Sequence, residues 1–182
     1  MGIDQLIFLT INGWAGVNRS LDLLGIFLAT YLPISMVIGV LVIVFLEKRW
    51  RKCWYDFFFI VSSVLLARGL VTPVIRLFYH RDRPFLAMPE TVIKLIEKGN
   101  EASFPSGHAI LFFAMAMAIY YVRPKFAAYF FIAATLVSIA RVFVGVHYPL
   151  DILGGALLGL ASAYAVHKTF PKLPEAKGAG II

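Results

Sequence analysis

The chain has 182 residues, 60% of them apolar, a formal net charge of +7 and a mean hydropathy of +0.83. So apolar a composition excludes a soluble globule, and the length predicts one membrane-embedded domain over residues 1–182. The basic excess does not point to nucleic acid, because Lys and Arg sit at the ends of apolar runs as topology signals, and the lone Cys53 excludes an internal disulfide or cysteine-built zinc site.

Residues 3–14 place Ile3, Leu6, Ile7, Ile11 and Trp14 at helical spacing, which predicts a short helix in the membrane interface that stops at Asn12-Gly13. No basic n-region or clean apolar core precedes a cleavage site, so no signal peptide is expected. Leu23 to Leu46 is 24 residues without a charge and predicts a transmembrane span that Pro33 can kink. After the basic knot 47–52, Tyr55 to Ile75 predicts a second span, interrupted by Arg68. Trp50, Trp54, Tyr55 and Phe57 to Phe59 read as an interface belt. A polar loop then runs from Arg76 to Phe104, with a short amphipathic lid helix expected over Glu90 to Glu101. Further spans are predicted from Ser106 to Val122, from Phe126 to Ala140 and from Pro149 to His167, ahead of a Lys-bearing tail at 168–182. The expected fold is all-α: an integral membrane helical bundle of about five spans with an N-terminal interfacial helix and a short outer-loop helix.

Five spans put the termini on opposite sides. Lys48, Arg49, Arg51, Lys52, Arg123, Lys125, Lys168, Lys172 and Lys177 then share one side, which the positive-inside rule assigns to the cytoplasm. The N-terminus, the 76–104 loop and the 141–151 segment face outward, and the C-terminus is cytoplasmic.

Three polar clusters interrupt the apolar pattern. Phe104-Pro105-Ser106-Gly107-His108 starts a helix, with Ser106 as N-cap and the amides of Gly107 and His108 free to meet an anion. Alone it is also ordinary turn chemistry. Arg76 to Pro84 and Arg141 to Asp151 lie at span ends that parity brings to the same face, at the depth of a lipid phosphate. One pocket can therefore collect Arg76, Arg83, Ser106, His108, Arg141, His147 and Asp151, and arginine forks match phosphate oxygens. Asp151, one turn from His147, can fix its tautomer and leave Nε2 as nucleophile or base, although such a pair also caps helices. His108 supplies a second imidazole as acid and base. Metal catalysis needs several carboxylates together, and the clusters hold only Asp82 and Asp151, so no metal and no cofactor are expected.

Arg76-x6-Arg83-Pro84, Pro105-Ser106-Gly107-His108 and Arg141-x5-His147-x3-Asp151, in that order with a two-span hairpin between the last two, resemble the signature motifs of the type 2 phosphatidic acid phosphatase superfamily. The resemblance covers about residues 70–165. It implies His147 as nucleophile, Asp151 as its orienting partner, His108 as acid and base, and Arg76, Arg83, Ser106, Gly107 and Arg141 as phosphate binders. Arg76 stands where the family pattern usually has Lys, and Ala140 where Ser commonly precedes the third-motif Arg. Within the superfamily the length, the outward site and Arg83-Pro84-Phe85 resemble bacterial undecaprenyl-diphosphate phosphatases, a branch that often has Asp where this chain has Gly107.

The expectation is thus a plasma-membrane lipid phosphatase that hydrolyses a polyprenyl (undecaprenyl) diphosphate to the monophosphate through a phosphohistidine, in cell wall biogenesis. Its partners are the lipid bilayer and the lipid substrate, and nucleic acid is not one. Alternatives are a phosphatase of phosphatidylglycerophosphate, phosphatidic acid or a related lipid, and a non-catalytic lipid-phosphate binder or flippase. Arg68 is weighed evenly between pocket and snorkelling roles, and His80, Arg81 and Asp82 read chiefly as a solvated turn.

Overall fold

Asn18 accepts hydrogen bonds from the Ser20 and Leu21 amides and so starts the first long helix. In the computed structural model, which describes residues 2–99 and 101–171, that helix is α2, Arg19–Phe45, preceded by the short α1, Ile3–Asn12. The second span is α3, Trp50–Val64, a π-helical segment, Leu65–Val71, and α4, Thr72–Phe78, which run on as one rod. A single turn, α5, Pro84–Ala87, lies in the long loop, followed by α6, Gly107–Val122, α7, Pro124–Phe143, and α8, Pro149–Thr169. Lys172 and Lys177 of the tail lie outside the described residues.

Among the described residues all regular structure is helical, and four rods are long and apolar enough to cross a bilayer: α2, Trp50–Phe78, α7 and α8. The fifth expected span is α6, whose 16 residues extend about 24 Å. That is shorter than a hydrocarbon core of about 30 Å. α6 can be this short because it runs inside the bundle, burying Ala109, Ile110, Phe112 and Ile119 among its neighbours rather than facing lipid.

The tightest pairing is α6 on α8, and small residues permit it. A Cβ added at Gly159 would lie 2.4 Å from the Ile110 carbonyl oxygen, and one at Gly155 would lie 2.9 Å from that of Ser106. Gly155 and Gly159 are four apart on one helical face, which lets the two backbones approach closely. At the far end Arg123 pairs with Glu47 at 2.9 Å and with the buried Asp56 at 2.7 Å, tying the α6–α7 turn to α2 and α3.

The lid helix expected over Glu90 to Glu101 is not formed, and the outer-loop helix is Pro84–Ala87 instead. Residues 90–99 are irregular because their backbone finds tertiary partners. Asn12 of α1 accepts from the Ile93 amide at 3.0 Å and donates to the Ile93 and Phe143 carbonyls, while the Leu95 amide donates to Val144. Leu95 and Ile96 pack on the α7 end beside Phe143 and Val146, so the apolar residues are used without a helix.

Candidate active site

Ser106 caps α6: its buried Oγ accepts from the Ala109 amide at 3.5 Å, and its own amide donates to the Asp151 carbonyl at 3.0 Å. That second bond joins the start of α6 to the start of α8. Over this junction lies a cavity of about 300 Å³, whose polar lining is Arg68, Arg76, Arg83, Lys98, Glu101, His108 and His147, with the Gly107 backbone between them.

His147 follows α7 in a turn where Gly145 takes a positive φ of 84°, and its ring is fully buried beneath the cavity. Its two nitrogens have different neighbours. Nδ1 lies 3.4 Å from Ser103 Oγ and 3.7 Å from Asp151 Oδ2, while Ser103 Oγ donates to that same carboxylate oxygen at 2.5 Å. The Asp151 carboxylate also accepts from the Tyr148 amide at 2.8 Å and from Arg81 at 2.8 Å. These partners put the proton on Nδ1 and leave the Nε2 lone pair facing Arg83 NH1 at 3.3 Å. Burial pushes the imidazole down to about 4, with the Asp151 carboxylate opposing the shift and the Arg83 and Arg141 charges adding to it. The ring is therefore neutral at pH 7.

Arg83 is held as a rigid fork. Nε donates to the Glu101 carbonyl at 2.8 Å, NH1 to the Val146 carbonyl at 3.0 Å, and NH2 meets the Glu101 carboxylate at 3.2 Å. Lys98 approaches the same carboxylate at 3.8 Å and holds it below the usual range, while burial lowers the Lys98 ammonium. Arg76, from α4, donates to the Pro105 carbonyl at 3.1 Å, and its Nε has no partner among the described residues.

Of the residues singled out from the sequence, Arg76, Arg83, Gly107, His108 and His147 line the cavity together. Ser106, Asp151 and Arg141 stand behind its wall. Arg141 is buried, with NH1 3.4 Å from the Ala29 carbonyl and an Nε that has no partner among the described residues. His80 and Asp82 form an exposed pair, but Arg81 departs from the expected solvated turn: it bridges Asp151 to Asp4 of α1 and stacks over Tyr148, 4.0 Å from the ring centroid. Ser103, Asp4 and Lys98 were not marked by any spacing. A serine in a polar loop and charges in polar segments look the same whether solvated or paired.

A second, apolar cavity of about 240 Å³ runs between α2, α3 and α6, lined by Val40, Val61, Val64, Leu65 and Met115 among others. Leu111 lines both cavities, so the polar chamber adjoins a groove suited to a hydrocarbon chain.

A model of the PAP2 superfamily matches residues 56–175. The chain is 35% identical over 173 residues to the bacitracin transport permease protein BcrC of Bacillus licheniformis, covering 95% of this chain and 82% of that one. It is 31% identical over 156 residues to the undecaprenyl-diphosphatase BcrC of Bacillus subtilis, covering 85% and 77%. The crystal structure of Aquifex aeolicus LpxE superposes with a TM-score of 0.74 at 23% identity, over 92% of this chain and 96% of that one.

Proposed function

This chain belongs to the PAP2 superfamily and is a membrane lipid phosphatase, and from that premise we propose that it cuts a polyprenyl diphosphate, undecaprenyl diphosphate, to the monophosphate at the outer face of a bacterial plasma membrane. The observation that carries this reading is one cavity lined by two imidazoles and several guanidinium groups, opening beside an apolar groove. The undecaprenyl-diphosphatase relative supports the diphosphate substrate.

His147 attacks the outer phosphorus through Nε2, whose lone pair is available because Nδ1 holds the proton. The bond from that phosphorus to the bridging oxygen breaks, and its electron pair leaves with the lipid monophosphate. His108 protonates the departing oxygen, then takes a proton from the water that hydrolyses the phosphohistidine and frees orthophosphate. Arg76, Arg83 and the Gly107 amide bind the oxygens of the transferred group. Arg141 acts from behind the wall, where its charge favours the anion, and Ser106 holds the N-terminus of α6 in place. Ser103 and Asp151 hold the His147 tautomer and stabilise the cation on the ring as it forms. No step calls for a metal ion.

Purified protein in EDTA is expected to release orthophosphate from undecaprenyl diphosphate faster than from phosphatidic acid or phosphatidylglycerophosphate. His147→Ala should bind the lipid and release none. Faster release from a glycerophospholipid would transfer the function to that substrate. Lipid binding by wild-type protein with no release from any of the three would leave a binder or transporter, and loss of activity in EDTA would refute the metal-free scheme.

A further inference from the structure

Arg68 interrupts an apolar span, where an unpaired guanidinium is costly and rarely without a function. Among the described residues, the carboxylates at the cavity end are engaged elsewhere: Asp151 by Arg81, and Glu101 by Arg83 and Lys98. Arg68 instead faces the polar cavity.

The backbone is built to aim it there. Pro73 has no amide to donate within the rod, and the preceding turn widens: both the amide and the hydroxyl of Thr72 reach back to the Ala67 carbonyl, five residues earlier. In a regular α-helix residues eight apart, such as 68 and 76, would diverge by about 80° around the axis. The additional residue taken up by the π-helical segment cancels most of that angle, so Arg68 and Arg76 share one face and one cavity.

We propose that Arg68 binds the phosphate retained by the lipid, so that the cavity holds a subsite for the inner phosphate of a diphosphate. This rests on the diphosphate reading above. Its position fits the leaving-group side. A Cβ built on Gly107 would lie 3.0 Å from Arg68 Nε, so the guanidinium lies against the backbone next to His108, the group that protonates the departing oxygen, while Arg83 adjoins His147. Gly107, with no side chain, leaves room for Arg68. Among the described residues the cavity also carries four cations, Arg68, Arg76, Arg83 and Lys98, against one carboxylate, that of Glu101, an excess suited to two phosphates rather than one. Charge appears on the inner phosphate as the bridging bond breaks, and Arg68 would stabilise it there.

The test compares farnesyl diphosphate with farnesyl monophosphate, which share a tail. Arg68→Gln should lower the ratio of kcat/KM for diphosphate over monophosphate about tenfold, the size of one charge-assisted hydrogen bond. It should also weaken inhibition by inorganic pyrophosphate more than inhibition by orthophosphate. Arg68→Lys should recover part of the ratio, and if the Gln variant is inactive the same ratio is read from Lys against wild type. A ratio unmoved within twofold in the readable variant overturns the subsite. No release from either lipid by wild type would instead sink the reading on which the subsite rests.

Discussion

Ser103 Oγ lies 2.5 Å from Asp151 Oδ2 and beside the His147 ring, whose Nδ1 is 3.7 Å from Asp151 but 3.4 Å from the hydroxyl. A gap of 3.7 Å is too long for a hydrogen bond, so the hydroxyl, itself held by the carboxylate, is the nearer polar partner of the imidazole. Ser103→Ala leaves the ring without its near partner and is expected to lower kcat about tenfold with KM little changed. Ser103→Thr, which restores a hydroxyl, should recover most of it. A fall in KM-dependent binding with kcat intact would show that the hydroxyl serves packing or substrate affinity instead.

The depressed pKa of His147 sets the acid side of the rate profile. Its folded value of about 4 lies below the ordinary imidazole value of 6.5, so the neutral form, the one proposed to attack phosphorus, persists as pH falls to about 4. The acid limb of kcat/KM, which reports the free enzyme, should therefore lie well below 6.5. Arg83 adds to the depression, and Arg83→Gln should move the limb to higher pH as well as weaken binding. Comparing the two profiles on one substrate cancels the substrate's own ionisation. A wild-type limb near 6.5, or a downward shift in the variant, would contradict the placement of these charges around the ring.

Much of the cavity was legible because span parity carries Arg76, Arg83, His108 and His147 to one level whatever the packing detail. Arg81 was not, since its partner Asp4 is 77 residues away and nothing in a polar loop distinguishes a paired charge from a solvated one. The same long reach explains residues 90–99. Their apolar spacing suits a helix, but the Asn12 side chain, 81 residues from Ile93, satisfies the Ile93 backbone in an irregular loop. Nothing in the predicted Tyr55 to Ile75 span announced the widened turn at Leu65–Val71, and only the fold shows that Arg68 is brought to the cavity.

The α6–α8 contact predicts a sharp asymmetry between glycines. At Gly159 a Cβ would meet the Ile110 carbonyl oxygen at 2.4 Å and the Ala114 nitrogen at 2.9 Å, both backbone atoms that move only if the helices separate. Gly159→Ala should cost about 1–3 kcal/mol and lower the melting temperature of the detergent-solubilised protein by several degrees. Activity should fall with it, because α6 carries His108. At Gly39 the nearest atom is the Phe130 ring at 3.7 Å, an ordinary contact. Gly39→Ala should leave stability unchanged or raise it slightly. Equal effects at the two sites would mean that α6 and α8 do not pack this closely.

The groove beside the cavity predicts tail-dependent kinetics. Val61 and Val64 are half-buried on α3 and line it, and Leu111 joins it to the polar chamber. Val61→Trp would fill part of that space without touching the arginines that line the polar cavity. Displacing about two methylenes of a lipid chain from apolar contact corresponds to roughly tenfold in affinity, at about 0.8 kcal/mol each. The variant should therefore raise KM for a long polyprenyl diphosphate about tenfold while leaving a short-chain, water-soluble diphosphate within twofold. If both substrates respond alike, the chain does not run between α2, α3 and α6 and must leave the cavity by another side.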